Sequence, residues 1–276
     1  MKKACVIGWP IEHSRSPLIH GYWLDKYRID GSYTKEAVEP RSVEGFLRGL
    51  AARGFSGCNV TVPHKEKAFA VADVKEASAV AVGAANTIWC DGDKLVCANT
   101  DTYGFMTQLS LSAPHWHERD RPVVILGAGG AARAIVYGFL NAGVGAIFVV
   151  NRSRERADLL ARHFGPKVSA FGWDERQRCA HEAAVIVNTT TLGMKGAGDP
   201  DIDFSVVNKR SVAADIVYVP LQTAFLARAA ERGLTTVDGL GMLLHQAVPG
   251  FEKWFGVRPE VTQELRKRII ADIECR

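Results

Sequence analysis

Val123-Val124-Ile125-Leu126-Gly127-Ala128-Gly129-Gly130-Ala131-Ala132 decides how this chain folds. Four large aliphatic residues in a row read as a fully buried strand, and the glycine-rich turn behind them opens a helix predicted over 131–140. Gly143 then stops that helix, and a second strand follows over 146–150. In this setting Gly127, Gly129 and Ala132 form a G-x-G-x-x-A pattern with a physical purpose. Gly127 permits the tight turn, Gly129 lets the backbone approach a pyrophosphate, and small Ala132 lets helix and strand pack closely. The N–H groups at the helix start then face the anion that such a position favours. The pattern predicts a dinucleotide site, and it begins in mid-chain, so another unit precedes it.

The end of the second strand bears on which dinucleotide. An NAD site places an acidic residue there for the ribose hydroxyls, whereas this chain reads Asn151-Arg152-Ser153-Arg154-Glu155-Arg156. Three arginines in the first turn of a helix oppose its dipole, so stability alone is a poor reason for them. Guanidinium forks match phosphate geometry, which favours NADP through its 2′-phosphate, with Arg152 and Arg156 as the clamps.

Strand and helix signals alternate before the glycine loop: strands over 3–7, 32–37 and 57–62, with helices over 17–27 and 43–52 between them. Strands over 87–90 and 94–98 flank Asp91-Gly92-Asp93, a hairpin signal that makes this part mixed rather than purely parallel. A connecting helix follows from 102 and a loop over 112–121. Strands over 184–188, 212–218 and 234–237 continue a doubly wound sheet, and helices over 241–255 and 259–273 close the chain. The fold class is therefore α/β: an N-terminal mixed α/β domain plus a doubly wound Rossmann-type domain that binds NADP. The last helices are expected to return to the first domain. The division is 1–101 with 239–276 for substrate and catalysis, and 102–238 for the dinucleotide, with a cleft between them.

Composition excludes several classes. The 276 residues carry a formal charge of +4, 47% hydrophobic and 23% charged residues, with no long basic tract, so nucleic acid is not an expected partner. Six cysteines show no C-x-x-C pair and no metal spacing, which suggests reduced thiols in a cytoplasmic protein. The apolar run after Met1-Lys2-Lys3 stops at Gly8-Trp9-Pro10, too short for a signal peptide, and no segment reads as a membrane span. The eight histidines lack companions at ligand spacing, so no metal is expected.

Polar residues gather at the strand ends of the first domain. In Ser14-Arg15-Ser16-Pro17, Ser16 before Pro17 suits an N-cap, and both serines read equally as cap or ligand contact. In Asn59-Val60-Thr61-Val62-Pro63-His64-Lys65, strand alternation puts Asn59 and Thr61 on one face. Lys65 falls at a helix start, where a cation is unfavourable, and this points to a task for it. Asp101, in Asn99-Thr100-Asp101, is the best partner carboxylate. Asn86 and Gln246 each fit a turn or a helix surface as well as a ligand. Asn188-Thr189-Thr190 and Asp215-Ile216-Val217-Tyr218 leave strand ends toward one crevice, and Tyr218 suits core or ligand.

Taken in order, Ser14 to Pro17, Asn59 to Lys65, Gly83-Ala84-Ala85-Asn86-Thr87, Asn99 to Asp101, Gly127 to Ala132, Asn151-Arg152, Asn188 to Thr190, and Gly239-Leu240-Gly241-Met242-Leu243 with Gln246 resemble the shikimate dehydrogenase family over nearly the whole chain. The resemblance implies reversible, NADPH-dependent reduction of 3-dehydroshikimate to shikimate in aromatic amino-acid biosynthesis. It implies a catalytic pair, Lys65 and Asp101, and a polyhydroxy carboxylate held by Ser14, Ser16, Asn59, Thr61, Lys65, Asn86, Asp101, Tyr218 and Gln246, the serines on its carboxylate. It assigns the cofactor to Gly127 to Ala132, Asn151, Arg152, Ser153, Arg156, Thr189, Thr190, Ile216, Gly239 and Met242. The paired serines look like the shikimate-type pattern, where quinate-preferring relatives tend to carry threonine second. A quinate or aminoshikimate dehydrogenase using NAD(H) and a non-catalytic nucleotide sensor are the competing readings. Monomer or homodimer is the expected state. His20-Gly21 departs from the His-Asn of many members but touches no expected contact.

Overall fold

The computed structural model describes residues 1–118 and 120–275. The chain divides into two compact units, Met1–Asp101 with Leu244–Arg276, and Thr102–Leu243. The second boundary falls five residues beyond the expected one, because 239–243 opens a single long helix whose start packs within the second unit.

The first unit begins β1 (Lys2–Gly8), α1 (Ser16–Lys26), β2 (Gly31–Ala37), α2 (Val43–Arg48), β3 (Phe55–Val60), α3 (Lys65–Val71), β4 (Val74–Lys75), α4 (Ala77–Val82), β5 (Thr87–Asp91) and β6 (Lys94–Ala98). Its sheet runs β2-β1-β3-β5-β6-β4, with β5 antiparallel to both neighbours and the other pairings parallel. Gly92, at φ 58°, supplies the left-handed residue of the β5–β6 hairpin, whose loop is two residues long. The carboxyl ends of β1, β3 and β6 and the start of β5 therefore meet along one edge of the sheet.

The second unit contains α5 (Asp101–Ser112), β7 (Val123–Leu126), α6 (Gly130–Asn141), β8 (Ile147–Asn151), α7 (Arg154–Phe164), β9 (Val168–Gly172), α8 (Arg176–Glu182), β10 (Val185–Asn188), β11 (Val212–Asp215), α9 (Ala224–Glu231) and β12 (Thr235–Val237). Asp101 itself still counts with the first unit. All strands are parallel in the order β12-β11-β10-β7-β8-β9. The order reverses between β7 and β10, which is where such sheets bind ligands. Both faces are covered: Val123 and Ile125 enter one apolar core, Val124 and Leu126 the other. The chain closes with α10 (Gly239–Phe255) and α11 (Gln263–Glu274). From Leu244 onward it belongs to the first unit, where Trp254 Nε1 donates to Ile88 O at 2.9 Å.

Several boundaries differ from the sequence reading. Ser16 is not the N-cap of α1: the amides of Leu18 and Ile19 both bond Arg15 O, so the first turn starts one residue earlier and Arg15 caps it without its side chain. The strand expected over 57–62 ends at Val60: beyond it Thr61 N reaches Ile7 O and Val62 O accepts from Trp9 N, but Pro63 has no N–H to continue a ladder. The strand expected over 212–218 stops at Asp215, whose side chain takes the amide of Val217 at 2.9 Å and turns the backbone. The helix expected from 259 starts at Gln263, where Thr262 accepts from the amide of Leu265. The expected loop over 112–121 holds a short turn at Trp116–Glu118, and its Arg119 lies outside the described residues.

Candidate active site

In the first unit one edge of the sheet carries a continuous hydrogen-bond network. Lys65 opens α3 and Asp101 opens α5, and Lys65 Nζ donates to Asp101 Oδ2 at 2.7 Å. The lysine side chain keeps 32% of its exposure and the carboxylate 14%, so the pair is sheltered yet reachable. A cation at a helix start is thus met by a carboxylate, the partnership its placement called for. The other carboxylate oxygen, Oδ1, accepts from Asn86 Nδ2 at 2.8 Å.

Asn86 is the hub. It is buried just before β5, and its Oδ1 accepts from Thr87 Oγ1 at 2.9 Å and from Thr100 N at 2.8 Å. Its Nδ2 also approaches Gln246 Oε1 at 3.4 Å, which brings the last expected substrate residue of α10 to the same place. Amide orientation is therefore fixed on both sides. Asn59, buried at the end of β3, donates to Asn86 O at 3.2 Å and accepts from the Tyr33 hydroxyl at 2.6 Å. Burial lifts the Tyr33 phenol well above its ordinary value and keeps it a donor. Behind it, His20 is fully buried and stacks on Tyr33 at 4.0 Å with an interplanar angle of 11°. Burial pushes the imidazole down to about 3, so it sits as a neutral ring among Trp23, Phe251 and Trp254.

Ser14 lies on the loop after β1 and Ser16 opens α1, with Ser14 Oγ accepting from Ser16 N at 3.3 Å. Ser16 is freed from the capping role, and its hydroxyl sits in the first turn of α1. The loop is braced by Arg15, whose Nε lies 2.9 Å from Asp272 Oδ2 of α11. Thr61 is half-buried beyond β3.

In the second unit Gly127 is at φ 111°, and a Cβ there would meet Thr189 Oγ1 at 2.6 Å. Only glycine serves at this crossing of β7 and β10. A Cβ on Gly129 or Gly130 would meet nothing within 4 Å. That open space lies over the start of α6, whose first amides precede the bond from Arg133 N to Gly129 O. Residues 127–132 thus offer bare backbone, amide donors and room, which fits a pyrophosphate. At the end of β8, Asn151 Nδ2 donates to Ser153 O, and Ser153 Oγ donates to Glu155. Arg154 is spent on Asp158 and Glu175, whereas, among the described residues, the exposed Arg152 and Arg156 form no ion pair. Two guanidiniums beyond a strand end fit a phosphate monoester.

Thr189 Oγ1 donates to Leu126 O at 2.7 Å, tying β10 to the glycine turn. Ile216 and Met242 are half-buried against the core of this unit, and Gly239 lies so close to the Ile216 carbonyl that a Cβ would approach it to 2.3 Å. Tyr218 lies half-buried beyond β11 in this unit, separate from the unit that carries the other expected substrate residues. Among the described residues no cluster suits a metal ion, and no helix is long and apolar enough to cross a membrane.

Sequence reading left Tyr33, Thr87 and Thr100 without a role, although they orient Asn59 and Asn86. The local signal was there in Asn86-Thr87 and Asn99-Thr100-Asp101, two hydroxyls beside two polar anchors.

Three family models match the chain: a shikimate dehydrogenase substrate binding domain over residues 6–88, a shikimate / quinate 5-dehydrogenase over 112–194, and a shikimate 5′-dehydrogenase C-terminal domain over 239–266. A shikimate dehydrogenase (NADP(+)) of Brucella canis is 56% identical over 99% of this chain and 95% of its own length. A shikimate 5-dehydrogenase of Thermus thermophilus, solved in complex with NADP(H) and shikimate, superposes with a TM-score of 0.86 at 32% identity, covering 99% of this chain and 100% of that one. A quinate dehydrogenase of Corynebacterium glutamicum in complex with NAD superposes at 0.88 with 27% identity, covering 98% and 99%.

Proposed function

The chain belongs to the shikimate dehydrogenase family, and from that premise we propose that it catalyses the reversible, NADPH-dependent reduction of 3-dehydroshikimate to shikimate. The observation that carries the chemistry is the 2.7 Å pair of Lys65 and Asp101, with its second carboxylate oxygen held by Asn86. The first unit takes the polyhydroxy acid and the second the dinucleotide.

NADPH, when bound, supplies the hydride to the ketone carbon of the substrate. The ketone oxygen gains charge as its bond to carbon becomes single, and the Lys65 ammonium gives that oxygen a proton. Asp101 keeps the ammonium aimed and compensates its charge, and Asn86 in turn fixes the carboxylate. In the reverse direction the neutral amine takes the proton back from the alcohol. Lys65, Asp101, Asn86 and Gln246 line one place and suit the hydroxyls of the ring, and Ser14, Ser16 and Thr61 on neighbouring loops suit its carboxylate. Asn59 belongs to the same substrate set, and its amide, engaged by Tyr33, Asn86 and Thr87, also holds the hub.

The cofactor is held by Gly127 to Ala132 at its pyrophosphate and by Arg152 and Arg156 at its 2′-phosphate, with Asn151, Ser153, Thr189, Thr190, Ile216, Gly239 and Met242 along the same strand ends. Six cysteines, all free thiols, agree with a reducing cytoplasm as the place of action.

The test follows the cofactor's absorbance with shikimate or quinate and with NADP+ or NAD+. Turnover greatest with shikimate and NADP+ is expected. Equal or better rates with quinate and NAD+ would replace this reading by the quinate one, and binding without turnover would leave a nucleotide sensor.

A further inference from the structure

Asp215, the last residue of β11, is 1% exposed, yet among the described residues no cation pairs with it. Its carboxylate is met instead by three neutral donors. Oδ1 accepts from Asn188 Nδ2 at 3.0 Å and from Val217 N at 2.9 Å, and Oδ2 accepts from Thr223 Oγ1 at 2.7 Å. Asn188 and Thr223 are themselves wholly buried. A buried carboxylate without a counter-charge is costly, so a fold that keeps one obtains something besides stability from it.

What it obtains is visible one bond further out. Asn188 ends β10 in register with Asp215 and with Leu126 of β7, so the three strand ends stand side by side at the reversal of the sheet. Held through Nδ2 by Asp215, Asn188 turns its own Oδ1 to the amide of Thr190 at 3.1 Å and to Thr190 Oγ1 at 2.7 Å, while Nδ2 also reaches Leu192 O. Thr190 Oγ1 then accepts from Leu192 N at 3.1 Å. On the other side, Val217 N fixes the backbone between Ile216 and Tyr218, and Thr223 caps α9. One carboxylate therefore sets the course of both segments that leave the sheet beside the glycine turn, 189–192 and 216–218.

We propose that Asp215 is the positioning residue of the dinucleotide edge: acting through Asn188 and Val217, it holds Thr189, Thr190 and Ile216 in the arrangement that receives the cofactor. The proposal rests on the reading above, in which these residues contact NADP. Replacing Asp215 by alanine takes the acceptor from Val217 N and Thr223 Oγ1, leaves Asn188 Nδ2 only Leu192 O, and lets both segments relax.

The test compares Asp215→Ala and Asp215→Asn in the full-length protein. NADP+ binding is measured by titration calorimetry, shikimate KM and kcat by steady-state kinetics, and folding by circular dichroism. Asp215→Ala is expected to weaken NADP+ about tenfold to a hundredfold while shikimate KM moves less than about twofold. Asp215→Asn keeps an acceptor for Asn188 and Val217 and is expected to restore affinity to within about threefold. Thr223→Val, which removes one donor and leaves the carboxylate, is expected to weaken NADP+ about twofold to fivefold and decides the matter where the alanine variant does not fold.

A folded Asp215→Ala or Thr223→Val protein that binds NADP+ as the parent does overturns the proposal. So does a loss shared equally between NADP+ and shikimate. Gly129→Val, which fills the cradle and leaves Asp215 and its three donors unchanged, separates the two readings. If it abolishes NADP+ binding while the Asp215 and Thr223 variants leave it intact, only the role of Asp215 falls. If Gly129→Val binds normally, the cradle itself is misread and the proposal falls with it.

Discussion

Each unit of this protein places one buried polar side chain at the edge of its sheet, and the two hubs are built on opposite principles. Asn86 is neutral: its amide takes donors on one side, gives hydrogens on the other, and passes its orientation to the ionised pair of Asp101 and Lys65. Asp215 is itself the charge, accepts on both oxygens, and passes its orientation to the Asn188 and Thr223 side chains and to the Val217 amide. The difference matches what each edge must do. A proton donor needs a charge aimed by a neutral frame, whereas a cradle for phosphates must keep a carboxylate out of its open space and place it behind the strands. Burial registers the contrast, since the Asp215 carboxyl is lifted to about 6 by desolvation.

The comparison is broken most severely at Lys65. Lys65→Ala is expected to lower kcat by roughly 10² to 10⁴ with the unfolding midpoint nearly unchanged, as loss of a general acid does. Turnover near that of the parent, measured by cofactor absorbance, would remove the ammonium from the chemistry. A smaller effect, confined to the other unit, is expected from Arg152→Gln with Arg156→Gln. NADPH KM should rise about tenfold to a hundredfold while NADH kinetics stay put, because only the 2′-phosphate loses charged hydrogen bonds. Rates with both cofactors falling together would place the phosphate elsewhere.

Acidity sharpens the contrast further. His20, in the first unit, has its native value depressed from 6.5 to about 3 by burial, so below 6.5 the unfolded chain takes up a proton that the native protein refuses. Its contribution is complete above 6.5 and is lost toward 3, at no more than about 1.4 kcal/mol per pH unit. Asp215 runs the other way. With its value raised from 3.8 to about 6, the native protein holds the proton more tightly, and stability from this group is full below 3.8 and lost as pH rises through 6. Denaturant titrations of the parent and of His20→Phe across pH 4 to 7 should give a shallower acid loss in the variant. Identical slopes would mean that the ring is not the group responsible. The mildest change is Tyr33→Phe, which removes a single hydrogen bond to Asn59 and should cost about 1 kcal/mol of stability, with kcat reduced more than shikimate KM is raised. A rise in KM alone would make Tyr33 part of binding and not of the frame.

How much of this could be read from the chain depends on how far each signal reaches. The run Val123 to Ala132 is local, with an apolar strand, a turn and a helix start all within ten residues, and the structure has β7 and the start of α6 there. Lys65 was legible because a cation at a helix start is an anomaly in one dimension, and the structure sets Asp101 against it. Asn86 was ambiguous, since its partners at 59, 100, 101 and 246 come together only in three dimensions. Ser16 read equally as cap or ligand contact because Ser-Pro is a strong capping signal, and nothing in the sequence shows that the first turn closes on Arg15 O, which removes the cap alternative. Strand β9 went unseen: Val168–Gly172 is an edge strand, largely half-exposed, without the apolar alternation that marks the others. Asp215 stood in view at a strand end, but burial without a counter-charge is a property of the fold alone.

Arg152, just beyond β8, and Arg156, in the first turn of α7, are exposed and form no ion pair among the described residues, while their neighbour Arg154 is bound to two carboxylates. On the proposed reading, in which these two guanidiniums hold the 2′-phosphate, nucleotide choice in this scaffold is a modular trait carried by exposed side chains outside the apolar cores. Selection for a different redox pool could rewrite those two positions in a few steps, without first having to rescue a weakened core.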